Sequence, residues 1–112
     1  MKISSILKLL DMVIISRPVL RDFIARYPLS ANALNNWYTQ TVKGDWGQFA
    51  DIKNTWNSCD AIGNDRYVFD IAGNNYRLIA MIHFKKRTLY IRRVLTHKEY
   101  DVLNKRGELN TL

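Results

Sequence analysis

The stretch Tyr90-Ile91-Arg92-Arg93-Val94-Leu95-Thr96-His97-Lys98-Glu99-Tyr100 decides how this chain folds. Its first half carries β-branched and aromatic residues with arginines interspersed, as a β-strand does. Its second half opens a helix. Thr96 and Glu99 have the spacing of a capping box, and Leu95 and Tyr100 that of a hydrophobic staple. A strand running straight into a capped helix gathers arginines, an imidazole and a phenol at one junction. That chemistry suits binding and breaking a phosphodiester.

Upstream of this junction the pattern alternates. Arg66 to Ile71 reads as a strand, Ala72-Gly73-Asn74-Asn75 as a turn, Tyr76 to Phe84 as a second strand, Lys85-Lys86-Arg87 as a basic turn, and Thr88 to Leu95 as a third strand. Connections this short imply an antiparallel meander. Further upstream the period is helical. Met12-Val13-Ile14-Ile15 is a short β-branched strand. Ser16, as N-cap, and Pro18 begin a helix bearing Val19, Leu20, Phe23 and Ile24, which ends before Pro28. Ser30 caps a second helix carrying Leu34, Trp37 and Tyr38, closed by Gly44. Asp45 caps a third with Trp46, Phe49, Ile52 and Trp56, and Asn57 to Asp65 reads as a polar loop. The three tryptophans fall at helical spacing and are assigned to the core. The expected architecture is α+β: an antiparallel sheet with helices packed largely on one face and a short C-terminal helix.

A chain of 112 residues makes one domain, and its 47% hydrophobic content excludes disorder. Cys59 has no partner for a disulfide, and no Cys/His spacing or acidic cluster resembles a zinc or magnesium site. No cofactor and no metal are expected. The N-terminus resembles a signal peptide only until Lys8 and Asp11 interrupt it, and no apolar run approaches a membrane span, so a cytoplasmic protein is expected. The formal charge of +7 is unevenly placed. Residues 1–65 hold seven Lys/Arg against six Asp/Glu, whereas residues 66–112 hold ten against four. A solvated basic face would explain this, and so would a polyanion site, most simply for nucleic acid.

Strand alternation narrows the candidates. Arg77, Ile79, Met81 and His83 share one face of the middle strand, and Tyr90, Arg92 and Val94 share a face of the next. Register decides whether Arg77 and Arg92 meet, and shared function requires that they face the same way. Arginine suits phosphate because its planar fork makes bidentate hydrogen bonds and keeps its charge. His97 carries protons near neutral pH. Tyr100 lies on the same helix face three residues on. In RNA the 2′-hydroxyl can serve as nucleophile, so Arg77, Arg92, His97 and Tyr100 are the candidate catalytic set; the alternative is two solvent-facing arginines, an exposed first-turn histidine and a tyrosine that only staples the helix. Lys85-Lys86-Arg87 is most simply a solvated hairpin tip, but with Arg93 and Lys98 it forms the candidate grip on an RNA backbone. His83 is read as a strand-end residue.

Several of these motifs, in this order, resemble HigB-type toxins of type II toxin–antitoxin pairs, within the RelE-like group of mRNA interferases. The resemblance runs from about Met12 to Leu103. It is carried by Ile14-Ile15-Ser16-Arg17, Leu20-Arg21-Asp22-Phe23, Asp45-Trp46, Phe49-Ala50-Asp51-Ile52-Lys53, the run Phe69 to Ile79, Tyr90-Ile91-Arg92, and Thr96-His97-Lys98-Glu99-Tyr100-Asp101. It implies a RelE-like fold and a metal-independent endoribonuclease that cuts mRNA on the translating 70S ribosome. It also implies a helix-turn-helix antitoxin, with operator DNA bound only through the antitoxin complex, and no membrane. Residues 1–11 would be an N-terminal extension arising from an upstream start codon, and residues 12–112 the toxin domain. A non-catalytic RNA- or ribosome-binding module would share the charge and the sheet. So would a degenerate toxin acting only as antitoxin partner and co-repressor.

Overall fold

The computed structural model describes residues 11–112, so the expected extension lies outside the described residues apart from Asp11. In chain order the elements are β1 (Val13–Ile15), α1 (Arg17–Arg26), a 3₁₀ turn (Pro28–Ser30), α2 (Ala31–Val42), α3 (Phe49–Thr55), β2 (Asp60–Gly63), β3 (Arg66–Ile71), β4 (Tyr76–His83), β5 (Thr88–Thr96), α4 (His97–Lys105) and a final 3₁₀ turn (Leu109–Thr111). The strands form one sheet in the order β1-β5-β4-β3-β2. The α+β expectation holds, and the β3–β4–β5 meander lies where alternation placed it.

Two features of the sheet differ from expectation. β1 joins β5 parallel, which makes the sheet mixed rather than antiparallel throughout. Its connection to β5 spans most of the domain, so no short turn dictates its direction. The stretch read as a polar loop contains β2, paired antiparallel with β3. Asn64 and Asp65 both take positive φ, the geometry of a two-residue hairpin turn. The β2 sequence Asp60-Ala61-Ile62-Gly63 is too short and polar to show alternation.

One face of the sheet carries the main core. Phe69, Ile71, Leu78, Ala80, Ile82, Leu89, Ile91 and Val94 pack against Leu20 and Phe23 of α1, Leu34 and Trp37 of α2, Trp46, and Ile52 of α3. Trp37 meets Phe69 edge-on at 5.4 Å between centroids, and Trp46 stacks on it at 6.3 Å. Phe69 thus bridges the helical layer and the sheet. The assignment of Trp37 and Trp46 to the core holds, since both are buried. Gly44 is required by this packing, because a Cβ there would come within 2.7 Å of the Trp46 ring.

The opposite face carries a smaller cluster. Val68, Ile79 and Leu95 are covered by Leu109, with Tyr100, Leu103, Ile62 and Leu112 at its margin. α4 and the last 3₁₀ turn therefore cover part of the face expected to be open.

Helix starts divide expectation from outcome. The capping box at Thr96 forms: Glu99 N–H donates to Thr96 Oγ1 at 3.2 Å, and Thr96 N–H to Glu99 Oε1 at 2.8 Å. Ser16 precedes α1 in the left-handed region and makes no side-chain cap. Ser30 instead donates its hydroxyl to the Tyr27 carbonyl at 2.6 Å. Asp45 does not cap α3, whose N-cap is Gln48; it pairs with Arg87 at 3.2 Å. A single Ser or Asp is ambiguous because turns use the same hydrogen bonds, whereas the reciprocal pair at Thr96 and Glu99 is not.

These contacts set an order of stability effects. Phe69→Ala should cost about 3–5 kcal/mol through loss of a packed core ring. Thr96→Ala should cost about 1 kcal/mol through loss of a cap. Denaturant unfolding of both variants checks the ranking.

Candidate active site at the junction of β5 and α4

The register between β4 and β5 sets the site. Tyr76 opposes Thr96, Arg77 opposes Leu95, Leu78 opposes Val94 and Ile79 opposes Arg93; then Ala80 opposes Ile91 and Met81 opposes Tyr90. Arg92 is the extra residue of a β-bulge. Strict alternation would put Tyr90 and Leu95 on opposite faces. The bulge returns both to the face that carries Arg77, Ile79 and Met81. Arg92 points the same way, since its Nε donates to the Leu112 main-chain oxygen at 3.1 Å, and Leu112 packs at the margin of the smaller cluster. Arg77 and Arg92 therefore share a face.

Their surroundings differ. Arg77 is only 9% exposed. Its Nε pairs with Asp70 Oδ1 at 3.0 Å. Its Nη1 donates to the carbonyls of Asn74 at 2.9 Å and Tyr76 at 3.3 Å, and its Nη2 to Asn74 Oδ1 at 3.4 Å. A guanidinium has five N–H groups, so at most one is left for a ligand. The guanidinium carbon sits 4.9 Å from the centroid of the Tyr100 ring, a cation–π contact. Arg77 is thus a buried arginine, held by its own turn and covered by Tyr100. The staple expected between Leu95 and Tyr100 also forms, as both belong to the smaller cluster.

His97 stands one turn from Tyr100, at the start of α4, with its side chain 53% exposed. Its backbone N–H donates to the Asn75 carbonyl at 3.1 Å, which fixes α4 against the β3–β4 turn. Its Nε2 lies 3.3 Å from Asp101 Oδ2. A carboxylate there orients the imidazole. The structure thus brings Arg77, His97 and Tyr100 to one end of the sheet. Arg92, exposed, lies further along the same face against Leu112.

The remaining basic candidates separate. Lys85 and Lys86 are exposed at the β4–β5 turn, whereas Arg87 is drawn back to Asp45 and to the Gly44 carbonyl at 3.4 Å. Arg93 and Lys98 line an open groove of about 350 Å³ with Glu99, Val102 and Leu103. β1 pairs with β5 only as far as Tyr90, which leaves the strand edge open at Arg93. His83 ends β4, as expected, and meets Tyr90 edge-on at 5.9 Å.

Three partners were not singled out from sequence. Asp70 and Asn74 hold Arg77, and Asp101 holds His97. The i,i+4 spacing of His97 and Asp101 was available as a signal. The Asp70–Arg77 pair depends on cross-strand register and was not. Burial pushes the Cys59 thiol up to about 12, with the neighbouring Asp60 adding to the shift, so this cysteine is no nucleophile near neutral pH. Among the described residues, no group of three or more His, Cys, Asp or Glu could hold a metal ion, and no helix is long and apolar enough to cross a membrane.

A family model described as HigB_toxin, RelE-like toxic component of a toxin–antitoxin system, matches residues 30–103. The mRNA interferase toxin HigB of Escherichia coli (strain K12) is 34% identical over 92 residues, covering 80% of this chain and 88% of that protein. The mRNA interferase HigB of Escherichia coli O6:H1 is 30% identical over 96 residues, covering 84% and 93%. The mRNA interferase HigB of Shigella flexneri matches at 34% over 92 residues. Fold and match together define the class as RelE-like toxins. Within that class, this chain belongs to the HigB toxin family.

Arg77→Ala should lower stability by roughly 2 kcal/mol, because it strands the partly buried Asp70 and uncovers the Tyr100 ring. Tyr100→Phe should leave stability within about 0.5 kcal/mol, since the ring supplies the contact. Thermal unfolding of the two variants checks both. Equal stability of Arg77→Ala and the parent would refute a structural role for Arg77.

Proposed function

We propose that this chain is an endoribonuclease that cuts mRNA by attack of a ribose 2′-hydroxyl on the adjacent phosphorus. The observation that carries this reading is the convergence of Arg77, Tyr100 and His97 at the start of α4, in a chain whose relatives are named mRNA interferases. In the proposed reaction the 2′-oxygen bonds to phosphorus and the P–O5′ bond breaks. One proton leaves the 2′-hydroxyl and one is delivered to O5′. The products are a 2′,3′-cyclic phosphate and a 5′-hydroxyl. His97, oriented by Asp101, and Tyr100 handle these protons and orient the base. Arg92 binds the phosphate and stabilises its charge as the phosphorane forms. Arg77 adds positive potential beneath the Tyr100 ring and fixes that ring in place. Lys85, Lys86, Arg87, Arg93 and Lys98 supply the field that holds RNA.

The same reading includes finer elements. The reaction needs no metal, and the mRNA is engaged on the translating ribosome in the cytoplasm. A helix-turn-helix antitoxin neutralises the toxin, and operator DNA is bound only through that complex. The toxin domain spans residues 12–112. Met12 is buried and its N–H donates to the Val42 carbonyl at 3.0 Å, which supports a domain beginning there. A chain starting at Met12 should therefore fold and remain toxic.

Cleavage in a translating extract tests the reaction. His97→Ala and Arg92→Ala should each lower the cleavage rate about a hundredfold or more. On a minimal RNA, cleavage should persist in EDTA and leave 2′,3′-cyclic or 3′-phosphate ends. Products with 3′-hydroxyl ends would overturn 2′-hydroxyl attack. RNA binding without any cleavage would favour the non-catalytic module, and failure to arrest growth on induction would favour a degenerate toxin.

A further inference from the structure

Arg66 lies outside the catalytic and RNA-gripping set drawn from sequence. It opens β3 and stands opposite Met81 of β4, whose other neighbour in the sheet is Tyr90 of β5. From there its side chain reaches the same atom that Arg92 reaches. Arg66 Nε donates to the Leu112 main-chain oxygen at 3.2 Å and Arg66 Nη2 donates to it at 2.8 Å; Arg92 Nε joins them at 3.1 Å. Two guanidinium groups from strands separated by β4 converge on one oxygen. Like charges brought this close require an electron-rich acceptor between them. The Nε and Nη2 edge of Arg66 is the fork that arginine presents to carboxylate and phosphate.

We propose that Arg66 and Arg92 form a phosphate-binding point for the RNA backbone, and that the chain's own final turn, ending at Leu112, fills it until RNA displaces it. This rests on the nuclease reading above and adds to it a binding residue and a built-in competitor. The turn is fastened upstream of the contact. Leu109 is buried in the smaller cluster, Asn110 Nδ2 donates to the Ile62 carbonyl at 3.1 Å, and Asn64 Nδ2 donates to the Asn110 carbonyl at 3.1 Å. Thr111 is exposed, and Arg92 is exposed beside it. Releasing Thr111 and Leu112 from the arginines while Leu109 stays seated breaks only the marginal packing of Leu112 and the hydrogen bonds of Thr111 to the Glu108 carbonyl and of Leu112 to the Leu109 carbonyl.

The neighbouring groups suit single-stranded RNA. Tyr90 and His83 form an edge-on pair on this face, next to Met81 and the two arginines. An aromatic surface beside paired cations allows a base to stack while its phosphate is held. The Leu112 oxygen would then stand where a non-bridging phosphate oxygen goes.

Binding of a short single-stranded RNA with 2′-O-methyl groups, which prevent cleavage, tests this. Fluorescence anisotropy is measured over a range of salt for the full chain, for Asn110→Ala, and for a chain lacking Thr111 and Leu112. Loosening or removing the competitor should tighten binding about tenfold, as expected for loss of an intramolecular ligand. Adding Arg66→Ala to either variant should cancel most of that gain. It should also flatten the salt dependence by about one phosphate contact. Arg66→Lys should restore the salt slope more than the affinity, because it keeps the charge and loses the fork. RNA bound equally by all variants overturns the clamp while leaving the nuclease reading intact. RNA bound more tightly on release of the turn, in an Arg66-dependent way but never cleaved in its unmodified form, supports the clamp and overturns the nuclease. No RNA binding by the full chain or by either released variant overturns the clamp, and cleavage in the translating extract then decides the nuclease reading by itself.

Discussion

Arg92 has no partner residue of its own across β4, and that single unpaired position orders everything C-terminal to it. Before the bulge, Tyr90 faces away from the main core and Ile91 into it. After the bulge, Val94 faces the main core and Leu95 the smaller cluster. Five residues separate Tyr90 from Leu95, an odd number that regular alternation would place on opposite faces. The extra residue corrects the parity. Both apolar surfaces are then satisfied along one strand, and Thr96 is delivered in phase for α4 to fold back over Leu95. A regular strand would have turned Leu95 into the helical layer and Val94 out of it.

The same face carries two unlike arginine environments. Arg77 is enclosed by Asp70, Asn74 and Tyr100, and nearly all its donors are used. Its geometry is committed, so in the proposed reaction it contributes through potential and through the Tyr100 ring rather than through direct hydrogen bonds. Arg92 and Arg66 are held by an acceptor that lies near the surface and can exchange. A buried, saturated cation stabilises structure, while a partly exposed one with an exchangeable acceptor suits a ligand. Both kinds lie along one sheet face: the enclosed arginine at the end that carries His97 and Tyr100, the exchangeable pair at the end proposed to bind RNA backbone.

Legibility from sequence followed the range of the interactions. β3, β4 and β5 were found nearly to the residue, because period-two alternation and short turns are local signals. The α4 start was found because Thr96 and Glu99 specify each other. Ser16 and Ser30 do stand at the N-cap positions of α1 and α2 but make no capping hydrogen bond, and Asp45 does not cap α3, because each has several local hydrogen-bonding options and tertiary packing selected among them. β2 was missed because its four residues carry no alternating pattern and are defined by pairing with β3. For the candidate site, the sequence named His97, Tyr100, Arg77 and Arg92 as candidate groups but showed neither the burial of Arg77 nor the convergence of Arg66 with Arg92.

What the sequence by itself determined, then, is every helix and strand except β2, together with the residue types gathered at the β5–α4 junction. Both depend on residues within about one helical turn or one strand repeat of each other. Tertiary structure alone decided the parallel pairing of β1, the bulge at Arg92, and the ion pair that buries Arg77. It also decided the meeting of β3, β5 and the final turn at one oxygen. Each of these joins residues far apart in the chain, and strand register, which places them opposite one another, is fixed only when both faces of the sheet find their packing partners.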